Sequence, residues 1–298
     1  MTNAVGVDVG GTAMKAVLVD PTGTVLDERS VATPRPDPDG RLTADAIAAA
    51  VAGLSRGERT AVGITAPGLV DEARGVVVDS VNLGWHDVPI RDLVEERLGI
   101  PVGFGHDVRA GGLAEIHALP DAGPDTVTVF VPIGTGLAAA IFVGDRVLAG
   151  CGGAGEIGQI VFPSGPHAGK RLEEVASASA VARRVGTSGA ADVARLVEAG
   201  DPFAAEVWDD TAAALAFALA ALIAVLAPNT VILGGGLAES GELLFTPTRR
   251  WLERLLPGVP LPPFRAATHG RLAGALGAAI LGRARLETSG IGQAASTD

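Results

Sequence analysis

The chain has 298 residues, 48% of them apolar, 19% charged and 41 of them Gly, and its acids outnumber its bases 34 to 23, for a net charge of −11. That composition excludes a disordered chain, and at about 150 residues per domain the length suggests two domains. The acidic balance argues against a protein that coats nucleic acid or anionic lipid, and a single Cys excludes a disulfide framework.

The first residues carry no basic region followed by an apolar one, so no secretory signal is expected and the cytoplasm is the default location. Residues 5–9 and 14–19 are apolar, β-rich runs separated by Gly10-Gly11-Thr12, and a turn over 21–24 leads to a third run at 25–31. These predict three antiparallel strands joined by tight turns. Pro34, Pro36 and Pro38 mark a loop, and Thr43 is expected to cap a helix over 44–54. Strands follow at 60–65, 76–81 and 102–105, with helices at 90–98, stopped by Gly99, and at 108–119.

After a loop at 120–125 the three-strand pattern recurs, with strands at 127–132, 137–143 and 146–148 around turns at Gly134-Thr135-Gly136 and Gly144-Asp145. Helices are expected near 171–186, 188–199 and 203–226, a strand at 230–233, and a last helix from about 272 to 286. Residues 211–227 approach the roughly 20 apolar residues that span a bilayer. They are mostly Ala and follow Asp209 and Asp210, so a buried helix is the reading and no membrane partner is expected. Two copies of one hairpin-led α/β unit organise the chain. The expected division is an N-terminal domain at 1–105 with the helix 272–286 packing back on it, a C-terminal domain at 106–271, and a flexible tail at 287–298.

Five segments carry chemistry. In Asp8-Val9-Gly10-Gly11-Thr12, two glycines let backbone N–H groups approach an anion, Thr12 adds a hydroxyl, and Asp8 can hold Mg²⁺ through water. Gly134-Thr135-Gly136 occupies the corresponding turn of the second unit. Its G-x-G-x-x-A match to a dinucleotide fingerprint lacks the required helix, since a strand follows, and no P-loop motif occurs. His106-Asp107 ends a strand and opens a helix, where a carboxylate can take a proton from an attacking hydroxyl. Glu156 lies between glycines in Gly153-Ala154-Gly155-Glu156-Ile157-Gly158-Gln159, with Glu173 and Glu174 downstream. Finally, the strand at 230–233 runs into Gly234-Gly235-Gly236, a bare surface for a flat ring or ribose.

In this order and spacing the chain resembles the ROK family of bacterial sugar kinases over nearly its whole length. The resemblance rests on VGVDVGGTAMKAVLVD at 5–20, ITAPGLVD at 64–71, VNLGWHDVPI at 81–90, the HD of GHDVRAGGLAE at 105–115, IGTG at 133–136, GAGEIG at 153–158, RLEEVAS at 171–177 and PNTVILGGG at 228–236. It implies an actin-like ATPase (ribonuclease H-like) α/β fold, with two domains around a central cleft, and ATP- and Mg²⁺-dependent phosphorylation of a hexose or amino-hexose, at the 6-hydroxyl. Asp107 then resembles the catalytic base. Gly68, Asn82, His106, Glu156, Gln159 and Glu173 resemble sugar contacts. Gly10, Gly11, Thr12, Lys15, Gly134, Thr135 and Gly136 resemble phosphate-binding positions, and Gly234, Gly235 and Gly236 the adenosine loop. Asp8 resembles the acid nearest the Mg²⁺. A homodimer is the family expectation.

Two departures lie near the sugar. His106 replaces the Asn that precedes the catalytic Asp in most members. Gln159 and a shorter segment replace a His and a cysteine cluster that bind zinc, with the cysteine positions falling near Ser164, Pro166 and Arg171. Loss of all these ligands together implies a member with no zinc site; Cys151 is alone, and His167 is a lone His. Substrates to weigh are glucose and an amino-hexose such as glucosamine, mannosamine or kanosamine, whose ammonium group two nearby carboxylates would favour. The alternatives are a non-catalytic sugar-binding regulator of the same fold and a polyphosphate-using glucokinase. A DNA-binding repressor is disfavoured, because no helix-turn-helix precedes Asp8 and the net charge is negative.

Overall fold

A computed structural model of the chain describes residues 2–55, 60–119 and 123–289. The chain forms two compact units, Met1–Ala114 with Arg271–Asp298, and Glu115–Gly270.

The first unit opens with β1 (Ala4–Val9), β2 (Ala13–Val19) and β3 (Val25–Ala32), an antiparallel meander. Then come α1 (Arg41–Ser55), β4 (Ala61–Ala66), a small antiparallel sheet of β5 (Leu69–Asp71), β6 (Val76–Ser80) and β7 (Trp85–Val88), α2 (Ile90–Leu98), β8 (Val102–His106) and α3 (Asp107–His117). The main sheet runs β3-β2-β1-β4-β8, with β4 parallel to β1 and β8 parallel to β4. Helix α2 stops where expected, since Gly99 takes a left-handed φ of 66° and returns its N–H to the Glu95 carbonyl at 2.8 Å. Thr43, by contrast, is not the cap of α1. Buried Asp37 fills that role, accepting from the Leu42 and Thr43 amides at 3.1 and 2.8 Å and from Thr43 Oγ1 at 2.6 Å.

The second unit repeats the plan with β9 (Val127–Pro132), β10 (Ala140–Val143) and β11 (Arg146–Val147), followed by α4 (Glu173–Ala176), α5 (Ala178–Val185), α6 (Ala190–Glu198), α7 (Pro202–Leu226), β12 (Thr230–Gly234), α8 (Gly235–Ala238), α9 (Glu242–Leu255) and β13 (Phe264–Ala266). Its sheet runs β11-β10-β9-β12-β13, with the same two antiparallel and two parallel joins. Two expectations need correction, and two elements were not foreseen. Strand β10 starts at Ala140 because the Ala139 amide turns to the Gly155 carbonyl at 2.8 Å. The helix expected over 171–186 breaks at Ser177, whose Oγ caps α5 by accepting from the Ala180 amide at 3.1 Å. Helix α9 and strand β13 had no clear sequence signal. Helix α7 is long and apolar enough to cross a membrane by length and composition. Here its buried face, including Leu215, Leu219 and Ile223, shares one core with Val129, Val131 and Val231 of the sheet.

The chain then returns to the first unit as α10 (Ala273–Thr288), which lies across β1, β4 and β8. Three glycines make this approach possible. Gly6, Gly63 and Gly103 stand side by side on adjacent parallel strands, and a Cβ on any of them would run into the α10 backbone at Ala275, Ala278 or Leu281. The same helix contacts α3, where a Cβ on Gly277 would strike the Ala110 backbone. This explains why residues 106–114, expected in the C-terminal domain, belong to the first unit. Helix α10 also continues through Thr288, past the expected start of the tail at 287. The remainder of that tail, from 290, and residues 120–122 of the expected loop lie outside the described residues.

Candidate active site

In the first unit the expected acids come together at the ends of parallel strands. Asp8 lies near the end of β1, opposite Lys15 on β2, and accepts a hydrogen bond from Thr65 Oγ1 of β4 at 2.9 Å. Burial pushes its carboxyl up to about 6, and the nearby charge of Asp107 pushes in the same direction. Helix α10 closes on it so tightly that a Cβ at Gly274 would come 2.7 Å from Asp8 Cγ. Asp107 opens α3 directly after β8. One of its oxygens, Oδ1, accepts from the Val108 amide at 2.8 Å and lies 3.4 Å from His106 Nε2. Burial also raises the Asp107 carboxyl above the usual range.

Two residues that the sequence did not single out hold this pair in place. Glu72 Oε1 accepts from the His106 amide at 3.1 Å and from Arg109 Nε at 2.8 Å, and Arg109 is buried. The only sequence signal was adjacency, since Glu72 follows directly on the ITAPGLVD segment.

The glycine hairpin is fixed from below. Gly10 N–H donates to the Ala13 carbonyl at 3.2 Å, and the hydroxyl of Thr33 donates to the Gly10 carbonyl at 2.7 Å. Gly11 faces exposed Asn82, whose carbonyl would be 3.1 Å from a Cβ at position 11. Thr12 is exposed at the tip. Gly68 has φ 108° and packs on the Asp79 carbonyl, where a side chain would clash as well as strain. Asp8, Gly10, Gly11, Thr12, Lys15, Gly68, Asn82, His106 and Asp107 therefore belong to one unit.

The remaining expected residues belong to the other unit. The Gly134–Gly136 and Gly234–Gly236 segments are joined, with the Ile133 amide donating to the Gly234 carbonyl at 2.7 Å and the Leu237 amide to the Ile133 carbonyl at 3.2 Å. Gly235, at φ 76°, is packed so closely on Ile133 that no Cβ would fit. A Cβ at Gly134 would meet nothing within 4 Å, which leaves that backbone open to a ligand. Glu156 is exposed and precedes a single 3₁₀ turn over Ile157–Gln159. Glu173 lies at the start of α4, its Oε2 3.2 Å from where a Cβ of Gly136 would be. Gln159 Nε2 donates to Glu173 Oε1 at 3.2 Å. Thr135 is exposed between the two glycines of its turn. Cys151 is exposed, and among the described residues no three His, Cys, Asp or Glu side chains gather as a metal site. His167 instead sets Nε2 on Asp210 of α7, 2.8 Å from Oδ2 and 3.0 Å from Oδ1.

Two sheets of the same strand order, each led by an antiparallel meander, define an α/β protein of the actin-like ATPase, ribonuclease H-like class. The match to the ROK family extends over residues 4–285, and the chain belongs to that family. A glucokinase of Halalkalibacterium halodurans is 33% identical, over 92% of this chain and 92% of that protein. An N-acetylmannosamine kinase of Yersinia pseudotuberculosis is 31% identical, over 96% of this chain and all of that protein. The crystal structure of a ROK family glucokinase from Streptomyces griseus, in complex with glucose and AMPPNP, superposes with a TM-score of 0.81 at 32% identity, over 95% of this chain and 99% of that one.

Proposed function

We propose that this ROK-family sugar kinase transfers the terminal phosphoryl group of ATP to the 6-hydroxyl of a hexose or amino-hexose in the cytoplasm. The observation that carries this reading is the placement of Asp107, at the end of a parallel strand and the start of a helix, with its geometry locked by Val108, His106 and, through the backbone, Glu72. Phosphoryl transfer asks a protein mainly for positioning and charge neutralisation. Asp107 Oδ1 is engaged within the protein, which leaves Oδ2 to accept the proton of the sugar hydroxyl. The hydroxyl oxygen bonds to the γ-phosphorus as the bond to the ADP oxygen breaks, and the proton passes through Asp107 to solvent. A raised carboxyl suits a group that must take a proton near neutrality.

With the Gly10 and Gly134 amides engaged inside their own turns, the N–H groups of Gly11, Thr12, Thr135 and Gly136 suit phosphate oxygens, and the Gly234–Gly236 segment suits the nucleoside. The Asp8 carboxyl, pushed up by burial and by the nearby charge of Asp107, offers oxygen donors that fit a hard divalent cation. Asp8 would hold Mg²⁺ through water, and the ion would supply charge neutralisation at the phosphates. Within the first unit Asn82, Gly68 and His106 suit sugar hydroxyls, and within the second Glu156, Gln159 and Glu173 offer polar groups of the same kind.

The test is ADP release measured across glucose, mannose, N-acetylmannosamine, glucosamine and kanosamine. Activity is expected with at least one, and Asp107→Asn should lower kcat by at least about a hundredfold while the thermal melt stays cooperative. Sugar binding without turnover on any of them would replace the kinase by a sensor.

A further inference from the structure

Exposed Arg171, beside the expected sugar contacts, has no role in the reading above. Arg171 closes a short hairpin over residues 160–172. The Leu172 amide donates to the Ile160 carbonyl at 2.8 Å, the Phe162 amide to Lys170 at 2.9 Å and the Gly169 amide to Phe162 at 2.9 Å. The hairpin is moored to α7 and α5, because His167 rests on Asp210, which also pairs with Arg184. Phe162 packs against Phe217 of α7 with ring centroids 5.7 Å apart. Arg171 is therefore delivered to a defined place by protein contacts alone.

From there one guanidinium nitrogen, NH1, reaches Gln159 Oε1 at 3.0 Å and Glu173 Oε1 at 2.9 Å. The Arg171 amide donates to Glu174 Oε2 at 2.7 Å, and its Nε lies 3.5 Å from the same oxygen. Because a guanidinium has only donors, it fixes the orientation of the Gln159 amide: the carbonyl must face Arg171, and Nε2 must face Glu173. Oε1 of Glu173 then accepts from Gln159 and forms the ion pair with Arg171, while Oε2 lies on the Gly136 side.

We propose that Arg171 is a positioning and specificity-determining residue: it sets Gln159 and Glu173 as one hydrogen-bonding edge and, by matching the Glu173 charge, makes this kinase prefer an uncharged hexose to an ammonium-bearing amino-hexose. The inference rests on the reading of Gln159 and Glu173 as sugar contacts. A carboxylate without a cation beside it would attract a sugar ammonium; one already bridged by a guanidinium gains little from a second cation. The other acids near this edge are Glu174, exposed and also paired with Arg171, and Glu156, exposed and directly before the turn that carries Gln159. Arg183 is bound to the Glu174 carbonyl. Removing Arg171 takes the cation away from Glu173 and Glu174, so the preference should turn toward the ammonium.

The experiment measures kcat and KM for glucose and glucosamine with the wild type, Arg171→Gln and Arg171→Lys, at a pH below the titration of the sugar amine and at one above it. The wild type should favour glucose. Arg171→Gln should raise the glucose KM by about tenfold, the scale of one charge-assisted hydrogen bond, with kcat little changed. It should also shift the glucosamine-to-glucose ratio of kcat/KM toward glucosamine by a similar factor at the lower pH, and the shift should vanish where the amine is neutral. Arg171→Lys, which keeps the charge, should restore much of the ratio. Equal losses for both sugars, or a ratio that ignores pH, would overturn the proposal in favour of a merely structural arginine. A wild type with no turnover on any hexose would instead overturn the kinase reading, and this inference with it.

Discussion

The two sheets share one strand order but distribute glycine and side chains in opposite ways. In the first unit, glycines occupy the middle of the parallel strands: Gly6, Gly63 and Gly103 lie in register and admit the backbone of α10, while the strand ends carry the acids Asp8 and Asp107 beside the Gly10-Gly11 hairpin. In the second unit the middle of the sheet carries branched residues, with Val129 paired to Val231 and Val231 to Phe264, and the strand ends carry glycines at 134, 136 and 234–236. One topology therefore supports two chemistries. Close helix–sheet packing brings α10 up to the Asp8 carboxyl and buries it, whereas beyond the branched core of the second sheet the backbone at Gly134 and Gly236 stays open.

The largest effect that could break this contrast is a single methyl group. Gly63→Ala should destabilise the first unit by roughly 3 kcal/mol or more, because its Cβ would overlap the Ala278 carbonyl. The complementary change in the second sheet, Val231→Ala, should cost about 2 kcal/mol through a cavity instead. Denaturant midpoints of the two variants compare them, and a Gly63→Ala variant as stable as the wild type would refute the seam.

Next in size is the burial of Asp8. Its carboxyl rises from 3.8 to about 6 on folding, so the folded state holds a proton more tightly than the unfolded chain. The resulting stabilisation is complete below pH 3.8 and is lost as pH rises through about 6. At pH 7 in the absence of nucleotide and Mg²⁺, Asp8→Asn should therefore be more stable than the wild type, by on the order of 2 kcal/mol, and the gain should disappear near pH 4. Thermal melts across that range decide it. The gain should come with a loss of activity, as a substitution at the expected Mg²⁺ ligand would produce.

The smallest effect sharpens the second unit. A Cβ at Gly136 would be 3.2 Å from Glu173 Oε2, whereas one at Gly134 meets nothing within 4 Å. Gly136→Ala should raise the sugar KM a few-fold while Gly134→Ala leaves it nearly unchanged, and equal values for both would deny any link between the turn and Glu173.

Much of the fold could be read from local pattern. Alternating apolar runs around Gly10-Gly11-Thr12 and Gly134-Thr135-Gly136 predicted both meanders, and Gly99 predicted the end of α2. The short strands β5, β7 and β13 carry too few residues to show a period. The helix over 171–186 looked continuous because apolar residues recur on both sides of Ser177, although Ser is favoured at a cap over a helix interior. Gly10, Gly11, Gly134, Gly136 and Gly234–Gly236 read as places of ligand approach, yet Gly235 packs on the Ile133 backbone, and Gly6, Gly63, Gly103, Gly274, Gly277 and Gly282, which carry no sequence signal, are needed for contact with protein. No local pattern separates the two uses.

By itself the sequence determined which residue types stand at the ends of which strands, because strand period, turn chemistry and motif spacing are local properties. Tertiary structure alone decided what those residues feel. The raised carboxyl of Asp8 and the grip of Glu72 and Arg109 on the His106-Asp107 corner depend on groups from distant segments, and the arginine that joins Gln159 to Glu173 depends on the hairpin that folds residues 160–172 back on themselves. Burial, Coulomb interaction and hydrogen-bond geometry act across space, and chain position does not encode them.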